Sequence, residues 1–377
     1  MAGAASGRDD GGGVRVPKAR ELALACGSLL LTAGLLEVGY RILDPFPFVP
    51  PWEVEPRLTR LTQYDPVLGW RGVPGARGEQ VTQNARVLIE HNSAGFRDIE
   101  HVVARPPRDA IVFLGDSFTW GSEVRAEDMF ESRLRPRLAG FEVFNISHNG
   151  WGTTQELLAL RQWSYPGRLR LVVLMFYEND IEDNNSDFRS AASVPKFSIV
   201  GGQPVLGNVP PPRVAGWDEP PPSPRAPSLA ERLASIPLRS QLVHDVWFRL
   251  QQLHASAVDQ RVFETRQPMK LTRRILQQLR DEVAERGGRL VVVAIPAWRE
   301  FASGVRYKPY QPKVAQACRS LSIDFLDLAP ALARSFFRTY HRLGRSHWNR
   351  TGHRVAAAAI EEFLSREGLL APPASPP

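Results

Sequence analysis

The chain of 377 residues has few cysteines and no dense block of basic residues. Its two cysteines are Cys26 and Cys318, and Cys26 lies in an apolar stretch, so a disulfide framework is excluded. The net charge of +7 comes mainly from arginines scattered along the chain, which argues against a nucleic-acid-binding tail. No cluster of His, Asp and Cys has the spacing of metal ligands, and no metal or other cofactor is implied.

The rest of the composition is that of an ordinary globular protein. Hydrophobic residues make up 43% of the chain and charged residues 23%. This composition and length allow one large domain or two small ones with a sizeable core.

An apolar segment near the N-terminus resembles a membrane-targeting sequence. The uncharged run from Leu22 to Leu36 reaches the ~20 residues of a membrane span only by continuing to Leu43, with Glu37 and Arg41 spaced to pair. No small-x-small cleavage site follows the run, which favours an uncleaved anchor over a cleaved signal peptide. A buried N-terminal helix is the third interpretation. Basic residues before the run predict a cytoplasmic tail at 1–20, a membrane anchor at 21–43 and the remaining chain outside the cytoplasm.

Strand-like apolar runs then alternate with amphipathic helical patterns, which predicts an α/β domain with a five-stranded parallel sheet covered by helices on both faces. We expect this domain at 108–369, an irregular extension before it at 44–107 and a disordered tail at 370–377. The predicted strands are 111–114, 141–146, 170–176, 289–295 and 322–327.

A serine follows the first of these strands. The apolar run ending at Leu114 leads directly into Gly115-Asp116-Ser117, and a helical pattern comes next. In an open α/β sheet, ligands bind beyond the carboxyl ends of the strands, where a helix N-terminus offers backbone N–H groups to a developing anion. Ser117 is therefore placed as a nucleophile would be, although Asp-Ser also suits a simple helix cap.

Three further strand ends have groups suited to the same chemistry. Gly150 allows close approach of a backbone N–H, Asn179 offers an uncharged amide donor, and His347 lies in a turn before a helix predicted from Arg354 to Glu367. Taken singly, each has a structural explanation: Gly150 as a turn glycine, Asn179 as a helix cap and His347 as a surface or packing histidine. Together with Ser117 they form the set of groups that acyl transfer requires.

The long connection at 181–268 separates the third and fourth predicted strands. It contains eight prolines between Pro210 and Pro227, which predict an extended stretch. Helical patterns resume at about 228, where Ser228 and Glu231 have the spacing of a capping box. We interpret this insertion as a cap near the rim of the site.

In arrangement and order, the four blocks resemble the SGNH (GDSL-type) hydrolase superfamily, over about residues 92–369. The turn from Asn92 to Asp98 is similar to that of membrane-anchored bacterial members. The resemblance implies a flavodoxin-like three-layer sandwich, with Ser117 as nucleophile and His347 as base. It also implies an oxyanion hole formed by the N–H groups of Ser117 and Gly150 and by the Asn179 side chain.

The usual acid of that family is missing. It normally lies two or three residues before the histidine, where this chain has Arg345 and Gly344. In a serine triad the acid fixes the imidazole tautomer, so its loss lowers activity by orders of magnitude unless another group replaces it. Asp324 and Asp327 are possible substitutes, although Asp327 also suits a helix cap. We expect a Ser–His dyad oriented by the backbone.

The expected function is that of a serine esterase acting through an acyl-enzyme, with the O-acetyl groups of envelope polysaccharide as a candidate substrate. The same residues would serve a polysaccharide O-acetyltransferase if a sugar hydroxyl accepts the acyl group. A catalytically weak module that binds glycans is the alternative from another class, and the missing aspartate is its best support. The expected partners are the ester substrate and the membrane, without nucleic acid.

Overall fold

A computed structural model describes residues 19–43, 49–54, 60–189, 192–214, 226–236, 239–240, 242–243, 246, 250, 269–301, 308–335, 338–341 and 347–370. Several predictions lie outside these residues. They concern most of the cytoplasmic tail, the main part of the proline-rich stretch, Gly344 and Arg345, and the tail from 371 onwards.

The N-terminal apolar segment forms a helix, α1 (Ala19–Leu43). Among the described residues, its part Ala19–Gly39 is the one stretch long and apolar enough to cross a membrane, with a mean hydropathy of 1.8. Its 25 residues extend about 37 Å, enough for a hydrocarbon core of ~30 Å. Glu37 and Arg41 form the predicted ion pair, at 2.7 Å. A helix of this length and composition fits a membrane anchor and also a signal sequence.

The N-terminal extension (residues 44–107) contains two antiparallel hairpins. The first pairs β1 (Thr62–Asp65) with β2 (Gly69–Gly72), and the second pairs β3 (Arg77–Val81) with β4 (Arg86–Glu90). Trp70 lies in the main core, whereas Leu61, Val87 and Ile89 pack with Trp120 in a separate small cluster. The extension therefore shares buried surface with the domain that follows it.

That domain is built on a five-stranded parallel sheet, which confirms the predicted α/β sandwich. Its elements are, in chain order, β5 (Asp109–Gly115), α2 (Ser117–Trp120), α3 (Phe130–Leu134), β6 (Phe141–Ser147), α4 (Thr153–Gln162), β7 (Leu169–Phe176), α5 (Asn179–Asp183), β8 (Phe188–Arg189), β9 (Ala192–Ser193), β10 (Lys196–Val200), β11 (Gln203–Gly207), α6 (Leu229–Ser235), α7 (Met269–Glu285), β12 (Arg289–Ala294), α8 (Gln311–Ser320), β13 (Asp324–Asp327), α9 (Ala329–Ala333) and α10 (Arg350–Arg366). The strand order in the sheet is β13-β12-β7-β5-β6. Helices α4, α7 and α8 cover one face of the sheet, and α3, α9 and α10 cover the other. Because both faces are covered, the central strands β12, β7 and β5 are nearly continuous apolar runs and not alternating ones.

The described part of the insertion (residues 181–268) includes two short hairpins, β8–β9 and β10–β11, and the helix α6. Phe197 of β10 is buried in the core beside α7. The insertion also contacts the N-terminal extension, because the Tyr64 hydroxyl donates to the Pro211 carbonyl at 2.8 Å. The predicted capping box is present, with Ser228 Oγ accepting the Glu231 N–H at 3.2 Å.

The last helix, α10, begins at Arg350, four residues before the predicted start. The side chain of Asn349 accepts the N–H groups of Thr351 and Gly352, at 2.9 and 3.2 Å. This cap satisfies donors of the first turn, so the helix starts immediately after Asn349.

Candidate active site

Ser117 lies where β5 ends and α2 begins, at the carboxyl edge of the sheet. The carboxylate of Asp116 accepts the N–H of Phe118 at 2.9 Å and so caps this short helix. Gly115 has no room for a side chain, because a Cβ there would collide with Thr119. The Gly-Asp-Ser sequence therefore fixes a tight strand-to-helix turn with the serine at its tip.

His347 contacts this serine, with Nε2 2.8 Å from Ser117 Oγ. The histidine belongs to a short antiparallel pairing in which Tyr340 lies opposite Trp348. The N–H of His341 donates to the carbonyl of His347 at 3.0 Å. The imidazole also packs on the Phe118 ring, with centroids 5.4 Å apart. Backbone pairing and ring packing together hold a base within hydrogen-bond reach of a nucleophile.

The other ring nitrogen of His347 faces a carboxylate that the sequence analysis missed. Glu123 Oε2 lies 3.4 Å from His347 Nδ1. We expected the backbone alone to orient His347, whereas the structure has a carboxylate beside its Nδ1. The two aspartates considered as substitutes have other partners, because Asp327 accepts the Ala329 N–H at 2.9 Å and Asp324 pairs with Arg289 at 2.7 Å.

The backbone of Glu123 has a φ of +67°, in the left-handed region. This conformation costs a non-glycine residue on the order of 1–3 kcal/mol and persists only where neighbouring contacts impose it. The carboxylate is also kept charged. Burial acts to raise the pKa of Glu123, but His347 and, more weakly, His341 and Asn84 stabilise the ionised form and bring the pKa down to about 2.

Gly150 and Asn179 lie at the carboxyl ends of β6 and β7, which flank β5 in the sheet. Gly150 has a φ of +85°, which a glycine adopts without strain. Asn179 opens α5, and its amide nitrogen donates to Asp183 at 2.7 Å. Both residues thus lie on the same edge of the sheet as Ser117, and the Asn179 amide already has one carboxylate partner.

Buried acidic side chains surround the Asn179 segment. Burial and the charge of Asp116 raise the pKa of Asp180 to about 8, while burial also raises the pKa of Glu156 well above its ordinary value. Arg189, from β8 of the insertion, contacts Asp183, the same carboxylate that accepts from Asn179. The first residues of the insertion therefore contact Asn179 at the edge of the site.

Within the described ranges, no three His, Cys, Asp or Glu side chains are grouped so as to hold a metal ion. The groups that converge near Ser117 are a hydroxyl, an imidazole and a carboxylate, with an amide and a glycine at neighbouring strand ends. Such a set has the chemical groups that acyl transfer uses.

Comparison with known proteins identifies the family of this chain. The model of the GDSL-like lipase/acylhydrolase family matches residues 113–355, more than half of the chain, and this range includes Ser117, Gly150, Asn179 and His347. A search of curated proteins found no match.

Solved structures similar to this chain include members of the same class. One is a lipolytic protein of the G-D-S-L family from Veillonella parvula, with 12% identity, coverage of 68% of this chain and 98% of that one, and a TM-score of 0.37. A putative acylhydrolase from Bacteroides fragilis has 12% identity, coverage of 69% and 91%, and a TM-score of 0.36. An acetyl xylan esterase has 12% identity, coverage of 67% and 98%, and a TM-score of 0.36. On the family match, this chain belongs to the GDSL-like lipase/acylhydrolase family of ester-hydrolysing enzymes.

Proposed function

We propose that the protein is a serine esterase in which Ser117 is the nucleophile and His347 the general base. The observation that supports this most is the 2.8 Å contact between Ser117 Oγ and His347 Nε2 at the carboxyl edge of the sheet. His347 takes the hydroxyl proton as Oγ attacks the ester carbonyl, and it returns this proton to the departing alcohol. The acyl group is then bound to Ser117 until water, activated by His347, releases it.

The tetrahedral intermediate needs donors for its oxyanion. We propose that these are the backbone N–H groups of Ser117 and Gly150 and the amide of Asn179, which come from three adjacent strand ends. Donors fixed in place before the reaction stabilise the developing charge without reorganising. The Asn179 amide has hydrogen bonds to the carboxylates of Asp183 and Asp116, so the proposal requires a substrate oxygen to displace one of them.

Acyl groups on envelope polysaccharides are the proposed substrate class. The support is α1, because an anchor preceded by basic residues would keep the domain outside the cytoplasm, next to such polymers. Transfer of the acyl group to a sugar hydroxyl is the alternative reaction of the same residues, and glycan binding without turnover is the alternative to catalysis.

One assay separates these functions. The full-length protein in detergent is incubated with a chromogenic acetyl ester, with and without an O-deacetylated polysaccharide, and with a fluorophosphonate probe. An esterase releases one acetate per ester consumed, whether or not the polymer is present. A transferase moves acetyl groups to the polymer, which mass spectrometry of its oligosaccharides detects. A binding module shows neither turnover nor probe labelling.

Replacing Asn179 with alanine is expected to lower kcat by about 10²–10³ with a smaller change in KM, as the loss of one oxyanion donor does. The matched control is Asp183→Ala, which removes the carboxylate partner of the same amide but leaves the donor itself. Steady-state kinetics of both variants make the test. An equal loss in the two variants, or a change confined to KM, would assign Asn179 a structural or substrate-binding role.

The membrane-anchor proposal predicts where a C-terminal reporter is active. An enzyme fused after residue 377 should work only outside the cytoplasm and should stay with membranes after a high-salt wash. Release of a shortened protein would show that α1 is a cleaved signal sequence. Activity of the reporter in the cytoplasm would reverse the proposed orientation.

A further inference from the structure

We propose that Glu123 is the acid that orients His347, and that the N-terminal extension holds this acid in place. The proposal rests on the serine-esterase function above. It links Glu123, which lies within the family match, to the extension, which precedes the start of that match at residue 113.

The first support is that the His347 ring lies between the side chains of Ser117 and Glu123. Ser117 Oγ contacts His347 Nε2 at 2.8 Å, and Glu123 Oε2 lies 3.4 Å from His347 Nδ1. A carboxylate beside Nδ1 favours the tautomer with a proton there, which leaves Nε2 free to accept the serine proton. It also stabilises the imidazolium that forms when the proton moves. Glu123 therefore supplies the carboxylate that is missing at the positions of Gly344 and Arg345.

The second support is that the extension binds both the side chain and the backbone of Glu123. The amide of Asn84, in the turn between β3 and β4, donates to Glu123 Oε1 at 2.9 Å. The side-chain oxygen of Gln80, on β3, accepts the N–H of Glu123 at 2.8 Å. These two contacts leave Oε2 for His347 and help to impose the left-handed backbone of Glu123.

The third support is a buried arginine of the extension that binds the loop around Glu123. The Arg97 guanidinium donates to the carbonyls of Trp120 at 3.1 Å and Val124 at 2.7 Å, and also to the carbonyl of Gly121. It lies over the Trp120 ring, 5.2 Å from its centroid. Burial lowers the pKa of Arg97 to about 10, so the side chain stays charged at neutral pH.

Contacts to three carbonyls of one short loop fix its path. The acid is thus held from the extension at three points, namely the carboxylate, the N–H and the flanking carbonyls. A second titratable group, His341, also faces this carboxylate. Burial lowers the pKa of His341 and the charge of Glu123 opposes this shift.

The test compares variants of Glu123 and of the N-terminal extension in the full-length protein. Glu123→Gln should lower kcat by about 10²–10⁴ with little change in KM, as the loss of a triad acid does. The acid limb of the pH profile of kcat/KM should move to lower pH, because the imidazolium loses its neighbouring negative charge. Glu123→Asp, which keeps a carboxylate, should retain more turnover than Glu123→Gln.

The extension is tested by Asn84→Ala, which should lower kcat by about tenfold and move the acid limb in the same direction by less. The control is Arg86→Ala on β4, which removes an ion pair to Glu79 in the same hairpin and one to Glu53, upstream of the hairpin. This control should leave kcat and the pH profile unchanged. Thermal unfolding of each variant identifies any that lose the fold, and Glu123→Asp keeps the test open if Glu123→Gln is one of them.

The outcomes separate this proposal from the esterase proposal. An unchanged kcat and pH profile in Glu123→Gln, with an active wild type, would overturn the role of Glu123 and leave the esterase in place. A large effect of Glu123→Gln with none from Asn84→Ala would overturn the role of the extension. A wild type that is neither labelled by fluorophosphonate nor active on esters would contradict the proposed function itself.

Discussion

Ser117→Ala is expected to abolish both ester turnover and fluorophosphonate labelling, with a loss in kcat on the order of 10⁴–10⁶. The variant removes the atom that forms the covalent bond, so the remaining groups retain only binding and charge stabilisation. The fold should be unaffected, because the strand-to-helix turn depends on Gly115 and on the Asp116 cap and not on the serine hydroxyl. Steady-state kinetics and circular dichroism measure the two expectations.

The matched control for this variant is Ser122→Ala, in the same loop. Ser122 is also buried, and its N–H donates to the carbonyl of Ser117 at 2.9 Å. Because its backbone makes this contact, loss of its hydroxyl should leave most of the turnover and all of the labelling. Undiminished turnover in Ser117→Ala would remove Ser117 from the mechanism.

His347→Gln should be nearly as damaging, with a loss in kcat of about 10³–10⁶. Glutamine cannot accept the serine proton, so Oγ would have to attack as a neutral hydroxyl. The acid limb of the pH profile should disappear in any residual activity, since no imidazole then titrates next to the serine. The measurement is kcat/KM against pH for the wild type and the variant.

His341→Gln is the control for the histidine. His341 is paired with His347 through its backbone N–H, at 3.0 Å, and its half-buried side chain faces Glu123. His341 does not accept the serine proton in this mechanism. His341→Gln should therefore lose far less activity than His347→Gln. If the two variants lose activity equally, or if His347→Gln keeps an acid limb, the general base is a different group.

Much of the fold follows from local patterns in the sequence. The central strands β5, β7 and β12 are buried on both faces, so each is an apolar run that can be recognised without knowing its neighbours. Parallel strands bring their carboxyl ends to one edge of the sheet. This is why Ser117, Gly150 and Asn179, which are separated along the chain, could be expected at one edge of the sheet in advance.

Glu123 could not be assigned in the same way. Its position depends on a left-handed backbone and on Gln80, Asn84 and Arg97, all more than twenty residues upstream. No periodicity or capping pattern encodes such contacts, and a search at a fixed distance before His347 cannot find an acid that follows the serine. The only available signal was a carboxylate six residues after Ser117.

The start of α10 shows the same limit on a smaller scale. The apolar pattern suggested a first residue near Arg354, whereas the side chain of Asn349 begins the helix earlier by accepting two N–H groups. Side-chain caps of this kind shift helix ends without changing the apolar period.

The covalent step at Ser117 is tested most directly by rapid quenching followed by mass spectrometry. The full-length protein is mixed with an excess of a chromogenic acetyl ester, quenched in acid within one turnover, and digested for peptide mapping. An acyl-enzyme predicts one added acetyl group on the peptide containing Ser117 and none in Ser117→Ala. Turnover without any acetylated peptide, or acetylation of a different residue that persists in Ser117→Ala, would contradict it.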